Sequence, residues 1–481
     1  MHVEVKFNAI SPKVASGDEG LDQALGGGFP EGSVILLEGK TGTGRSTLGN
    51  AFVCKSRDLD EPSLTLLTNE SRKAYVSNIL ATLGKDCNEC FLTKKHDIIE
   101  FPYATGKDTQ IALAQFFSRA KELRVKRLLI DSFTPIAQLL SSPVEIRNTI
   151  RKMRDELGQA FGCTIMLIVD VLRGEGLPKE GVEEFSADGI IELDQTELLG
   201  HRIRQLNIRK LRGAHIAFHI LAYSLEGGRF RTIVPFTLKP QVDVGRFQPV
   251  KDTADRFSTG IPKLDLLLEG GYPRGGVVLV ELGEEVSFPQ YRLVVDPVVW
   301  NFLTQKRGRT AIGGTGRSNE TFLTSCRRAG LADDEINRLT TKFTYAEADS
   351  EPQFVKLEGD CQKDIKTYSA AVEKLAQATG QPILETVSVD MLSLVYEAGE
   401  VMRFLDSCVR RVREEGHLLL LILRPDGDEV RRKVKSVADI HLRVDIVHRA
   451  LVLSSLRSDT WLRVVQVDMS MGYPMPRFFA N

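Results

Sequence analysis

Between Gly39 and Thr47 the chain reads GKTGTGRST, with Gly39, Gly44 and Ser46 at the fixed places of GxxxxGK[ST]. Glycines at that spacing let successive backbone N–H groups point into one phosphate-sized concavity, and a helix that follows adds its positive end. A serine closing the motif offers a hydroxyl to Mg2+. The expected nucleotide-binding residues are Gly39, Thr41, Gly42, Thr43, Gly44, Arg45, Ser46 and Thr47, with ATP as the ligand and Ser46 on the metal. Position 45 holds arginine where the motif carries lysine. Both cations attract phosphate, but guanidinium is larger, planar and fixed in its donor directions. A charge misplaced by about 1 Å can cost on the order of 100-fold in rate. ATP binding with slow turnover is therefore expected.

Two carboxylates complete the chemistry. RLLIDS ends an apolar run on Asp131, where a carboxylate holds Mg2+ through its water shell, although an aspartate ending a strand is also an ordinary turn former. LLTNES places Glu70 after the next strand, fit to orient a water for in-line attack or, alternatively, to cap the following helix.

These groups need a sheet to hold them. SVILLEG precedes the loop and STLGNAF follows it, the strand-loop-helix order that the motif requires. SLTLLTNE, VKRLLIDS, CTIMLIVD and DGIIELD are further short apolar runs, separated by helix-length stretches such as TQIALAQFFSRAKEL. Such alternation predicts a buried, mainly parallel sheet flanked by helices.

The unit is written twice. An offset that carries Leu21 to Leu264 also pairs Gly17 with Gly260, Asp22 with Asp265, Pro30 with Pro273 and Glu38 with Glu281. Eleven identities fall between Gly17 and Glu38, where average usage predicts roughly one or two, so the chain reads as a tandem duplication. Boundaries are expected at 1–240, a linker at 241–255 with prolines and charges, and 256–481.

The stretch GLDQALGGGFPEGSVILLEGKTGTGRSTL, with RLLIDS, SADGIIELD and IRKLRG, resembles the KaiC family of RecA-like P-loop ATPases; STGIPKLDLLLEGGYPRGGVVLVE resembles its second domain. The resemblance implies an α/β chain of two tandem RecA-like P-loop NTPase domains, ATP held between neighbouring subunits, and a homo-oligomer that is commonly a hexameric ring. It also implies that Lys210 and Arg212 of KLRG reach the phosphates of an adjacent subunit; the alternative is a solvated basic strand face.

Two further departures from the family pattern stand beside Arg45. The family often carries two adjacent acidic residues where this chain has Asn69, Glu70 and Ser71. In the second copy Gly39, Gly42, Gly44, Arg45 and Ser46 become Leu282, Glu285, Ser287, Phe288 and Pro289. Carboxylates at Glu284 and Glu285 repel phosphate, and proline removes a donor N–H, so this half is expected to be nucleotide-free. A Walker B-like Asp390 persists there, and SLRS keeps Arg457 of the KLRG pair.

Composition bounds the rest. With 63 Lys+Arg against 64 Asp+Glu the net charge is −1, which sets up no global field for nucleic acid or anionic lipid. VLRGEGLPKEGVEEF, which would line a ring pore, opposes Arg173 and Lys179 with Glu175, Glu180, Glu183 and Glu184, against a phosphate-tracking loop. The longest apolar run, LLLLIL, is too short for a bilayer, and MHVEVKFNAI alternates like an edge strand and lacks the order of a secretory signal. Seven scattered cysteines fit a reducing compartment, so a cytoplasmic protein is expected. Cys87 and Cys90 form one CxxC with no second pair to complete a zinc set. The competing functional readings are a slow ATPase or ATP-switched assembly factor acting on an unidentified protein partner, a non-hydrolysing interaction scaffold, and a recombinase-like DNA-binding ATPase.

Overall fold

The computed structural model describes residues 12–83, 95–101, 107–140, 142–170, 186–237, 245–313, 318–345, 354–424, 428–456 and 460–480. The chain divides into two compact units, Met1–Val234 with Phe479–Asn481, and Pro235–Phe478.

In the first unit, β1 (Lys13–Val14) pairs with β2 (Phe29–Pro30) beside the main sheet. That sheet contains β3 (Val34–Gly39), β4 (Ser63–Leu67), β5 (His96–Glu100), β6 (Arg127–Asp131), β7 (Thr164–Asp170), β8 (Gly189–Leu198), β9 (His201–Leu211), β10 (Ile220–Ser224) and β11 (Arg231–Ile233). Their order is β11-β10-β9-β8-β3-β7-β6-β4-β5. Strands β8 to β5 across that order are parallel, while β9, β10 and β11 add an antiparallel flank.

Alternation along β3 explains why the sheet is covered on both sides. Val34 and Leu36 enter one core with Leu128, Ile130 and Ile165, whereas Ile35 and Leu37 enter the opposite one with Leu48, Phe52 and Val53 of the Arg45–Asp58 helix. Leu48 and Phe52 are fully buried, each contributing about 1.5–3 kcal/mol by leaving water. Gly49 lets this helix approach β6, since a methyl there would fall 2.8 Å from the Leu129 side chain. Lys55 and Arg57 in its last turn complement the dipole.

In the second unit, β12 (Arg256–Phe257) pairs with β13 (Tyr272–Pro273). The main sheet runs β17-β16-β15-β18-β19-β14-β20-β21-β22-β23. Its members are β14 (Val277–Leu282), β15 (Arg309–Ile312), β16 (Thr340–Thr344), β17 (Phe354–Lys356), β18 (Leu384–Ser388), β19 (Leu418–Leu423), β20 (Ile440–Val447), β21 (Ala450–Ser455), β22 (Trp461–Asp468) and β23 (Met475–Phe479). The sequence offset recurs in the elements: Val34 and Val277 start β3 and β14, Glu19 and Pro262 start short helices, and Arg45 and Phe288 start the long ones. β14 lies between β19 and β20 as β3 lies between β7 and β8. Phe247, in the segment expected as linker, is buried in the second unit's core with Trp300 and Tyr473. MHVEVKFNAI lies outside the described residues.

Candidate functional site

β3 ends on Gly39 and the next helix begins at Arg45, so the glycine-rich stretch turns directly from strand to helix. Gly42 and Gly44 have φ of 81° and 91°, a region costly for side-chain-bearing residues. A methyl on Gly44 would also meet the Leu225 side chain at 2.8 Å, and one on Gly39 would fall 2.7 Å from Thr43 Oγ1. Inside the turn, Thr43 donates through its hydroxyl to the Lys40 carbonyl at 2.7 Å. Gly44 is the N-cap, and no side chain caps it. The first N–H groups of a fourteen-residue helix therefore open onto the loop without side-chain cover. Thr41 and Ser46 are exposed, Thr43 is buried, and Thr47 is half-buried.

Three side chains on the antiparallel flank stand in one row beneath this turn. Gln195 on β8 is opposite Arg204 on β9, which is opposite Tyr223 on β10. The row has the parity of Leu193, Leu206 and Leu221, which belong to the core under the Arg45–Asp58 helix. Gln195 donates from Nε2 to the Gly42 carbonyl at 3.3 Å, and the Tyr223 hydroxyl donates to the Thr43 carbonyl at 2.5 Å. Engaging outward carbonyls in this way holds the N–H side of the turn inward. Arg204 keeps a buried Nε with no hydrogen-bond partner among the described residues. None of the three carries a motif signal; only the strand register brings them to the loop.

Arg45 turns to the end of β7. Its Nη1 donates to the Val169 carbonyl at 2.7 Å, and its Nη2 lies 2.6 Å from Asp170 Oδ1. Asp170 in turn accepts from Ser132 Oγ at 2.8 Å, while its backbone N–H donates to Thr134 Oγ1 at 2.8 Å. Neither Asp170 nor Ser132 belongs to a sequence motif; the signal for Asp170 is an acidic residue ending the apolar run CTIMLIVD.

Asp131 ends β6, as expected, and a hydrogen bond joins its carboxylate to the Ser46 side chain. Burial pushes its pKa up to about 6, with the Ser46 bond and Arg45 opposing, and Glu70 and Asp170 adding to the rise. Its Oδ2 is buried and has no hydrogen-bond partner among the described residues. A hydroxyl and a carboxylate with an unspent, desolvated oxygen fit a divalent cation. Glu70 follows β4 and accepts from Asn78 Nδ2 at 3.2 Å, close enough to Asp131 to raise its pKa. Of its neighbours, Ser71 accepts from the Ala74 N–H at the start of the next helix.

Lys210 and Arg212 are not brought to the loop. Gly39 is level with Leu193 and Leu206, whereas Lys210 pairs with Ile190 near the other end of the strands. Its Nζ donates to the Ala187 carbonyl at 2.7 Å, and Arg212 Nη1 stands 3.9 Å from Asp188.

The corresponding turn of the second unit is built differently. Glu284 and Glu285 are exposed, and Phe288 opens a helix with Pro289 in its first turn. The Gln290 side chain reaches back to accept from the Ser287 N–H at 2.8 Å. Asp390 lies in the Val389–Val395 helix, where its carboxylate accepts from the Arg424 N–H at 3.0 Å. Arg424 also donates from Nη1 to the Val286 carbonyl at 3.3 Å. Beneath the turn, Glu281 is fully buried and accepts from His441 and Arg431, with Lys435 at 2.9 Å. Burial alone would raise its pKa, but hydrogen bonds from His441, Lys435 and Arg431 hold it far below the carboxylate range.

Cys87, Cys90, Arg457 and the segment VLRGEGLPKEGVEEF lie outside the described residues. Among the described residues, no helix is long and apolar enough to cross a membrane.

Residues 14–230 match the family model of the KaiC ATPase, and residues 246–317 match that of GvpD basic region 2. The chain is 28% identical over 372 residues to Protein GvpD2 of Halobacterium salinarum, covering 72% of each chain. It is 24% identical over 516 residues to Protein GvpD1 of the same organism, covering 92% of this chain and 93% of that one. UPF0273 protein MJ1359 of Methanocaldococcus jannaschii is 30% identical over 217 residues, 42% of this chain and 88% of the relative.

Proposed function

The chain belongs to the KaiC-like family of RecA-type P-loop ATPases, and from that premise we propose that its first half, 1–240, binds ATP with Mg2+ and acts as a slow ATPase or ATP-dependent assembly switch. The observation that carries this reading is the uncapped start of the Arg45–Asp58 helix beside the unspent Asp131 oxygen. Gly39, Thr41, Gly42, Thr43 and Gly44 cradle the phosphates, with Arg45 and Thr47 at the head of the helix. Ser46 and Asp131 hold the metal, and Glu70 orients the attacking water. Bound Mg2+ neutralises charge that develops on the phosphate oxygens.

Slow turnover is supported by Arg45, whose guanidinium is tied to Asp170 and Val169. The same contact favours the second reading, a scaffold that binds nucleotide and does not hydrolyse it. Lys210 and Arg212, remote from the loop of their own chain, act on the nucleotide of a neighbouring copy in a homo-oligomer, with a hexameric ring as the family precedent. The second half, 256–481, is a nucleotide-free copy of the same fold, because Pro289, Gln290 and Arg424 occupy the groups that a phosphate and metal would need.

Titration calorimetry of the full chain with ATP and Mg2+ tests this. Submillimolar binding of about one nucleotide per chain supports it; affinity weaker than about 1 mM, some −4 kcal/mol, removes it. Mass photometry with and without ATP separates switch from scaffold, and a size unchanged by ATP ends the bridging role of Lys210 and Arg212.

A further inference from the structure

Asp170 is the last residue of β7 and lies in register with Gly39, the first glycine of the loop. β7 itself is placed between β3, which carries the loop, and β6, which carries Asp131. A triphosphate seated on the loop, with Ser46 and Asp131 holding its metal, would bring its terminal phosphate toward the end of β7. A bare carboxylate there would repel it. Here the carboxylate is covered by Arg45, whose side chain is 11% exposed.

Arginine at this place can hold Asp170 and still present donors in a fixed direction, which the rotating ammonium of lysine does not. A guanidinium has five N–H groups in a rigid fork, and contacts to Val169 and Asp170 leave donors unspent; an ammonium is a single point charge. Ser132 Oγ and the Thr134 hydroxyl fix the Asp170 carboxylate and backbone, so the far side of the fork has a set direction.

Resting on the nucleotide-binding reading above, we infer that Asp170 is a positioning residue that aims Arg45 at the terminal phosphate, and so makes the site discriminate nucleoside triphosphate from diphosphate. ATP completes a carboxylate–guanidinium–phosphate chain. ADP ends short of the guanidinium, which stays satisfied by Asp170 and the Val169 carbonyl, so the diphosphate gains nothing from it. The loop arginine and the strand-end aspartate are thus one device, and lysine at position 45 would not reproduce it.

The test is the ratio of ADP to ATP dissociation constants, measured by calorimetry on the full chain at fixed Mg2+. The parent chain is expected to favour ATP by at least about tenfold, Asp170→Asn to fall within about twofold, and Asp170→Glu to recover most of the preference. In an Arg45→Lys background the preference is already lost, and adding Asp170→Asn changes it by less than about twofold, the signature of two residues acting as one. An unchanged ratio in Asp170→Asn, or an equal loss with and without Arg45, overturns the inference and leaves nucleotide binding standing. If Asp170→Asn does not fold, the Arg45→Lys ratio decides: a preference kept at parent level overturns the inference. Failure of the parent chain to bind either nucleotide ends both readings together.

Discussion

The guanidinium of Arg45 lies 2.6 Å from the Asp170 carboxylate, joining the head of the loop helix to the end of the neighbouring strand. The ion pair is half sheltered, with 11% of the arginine and 28% of the aspartate side chain exposed. Such a pair suffers more from loss of one partner than from replacement of both.

Arg45→Lys is therefore expected to speed turnover. Lysine can leave Asp170 and follow the phosphate oxygens into the transition state, a realignment worth on the order of tenfold or more in rate. Phosphate release under saturating ATP measures it. A rate at or below that of the parent would assign the slow step to Glu70 instead.

Asp131→Asn should strengthen the fold while weakening metal-dependent binding. With its pKa pushed up to about 6, ionised Asp131 costs the native state about 2–3 kcal/mol at pH 7.5 relative to an unfolded carboxylate. Asparagine carries no such charge, so the thermal midpoint rises by several degrees. ATP affinity then depends less on Mg2+, with Ser46 left as the metal's protein contact. A lower midpoint would show that the carboxylate makes compensating contacts.

Tyr223→Phe removes the donor to the Thr43 carbonyl and leaves that acceptor buried. A loss of about 1–2 kcal/mol follows, seen as weaker ATP binding, with the Gln195 contact to Gly42 retaining part of the loop's shape. Equal ATP affinity in this variant would take the flank row out of the site.

Acid should weaken the fold through His96. Burial pushes this imidazole down to about 4, and Ser63 Oγ lies 2.7 Å from its Nδ1. The native state keeps it neutral while the unfolded chain takes up a proton below about 6.5. Between those values the unfolded state binds more protons, so stability falls as pH drops from about 6.5 to about 4, by up to about 3 kcal/mol. Denaturant midpoints across that range should shift less in His96→Asn; parallel curves would clear His96 of the effect.

The turn from strand to helix and the place of Asp131 at a strand end were legible because both are written in local sequence. Gly39, Gly44, Ser46 and Asp131 each sit at a strand or helix boundary that hydrophobic runs mark out. Asp170 was not, because its partner is 125 positions away and its identity as a strand-end acid says nothing of what faces it. The Gln195–Arg204–Tyr223 row was hidden for a related reason: it depends on the registers of two antiparallel pairings, which a single sequence does not state. Asp390 shows the converse, since VSVDML matches the pattern of RLLIDS, yet the chain has already entered a helix and spends the carboxylate on Arg424.

The two long helices begin in opposite conditions, one bare at Gly44 and the other furnished with Pro289 and Gln290. A terminus left open gains from an anion by mass action, whereas a finished one gains nothing. Nucleotide bound as proposed would accordingly protect only the N-terminal half from local unfolding and proteolysis.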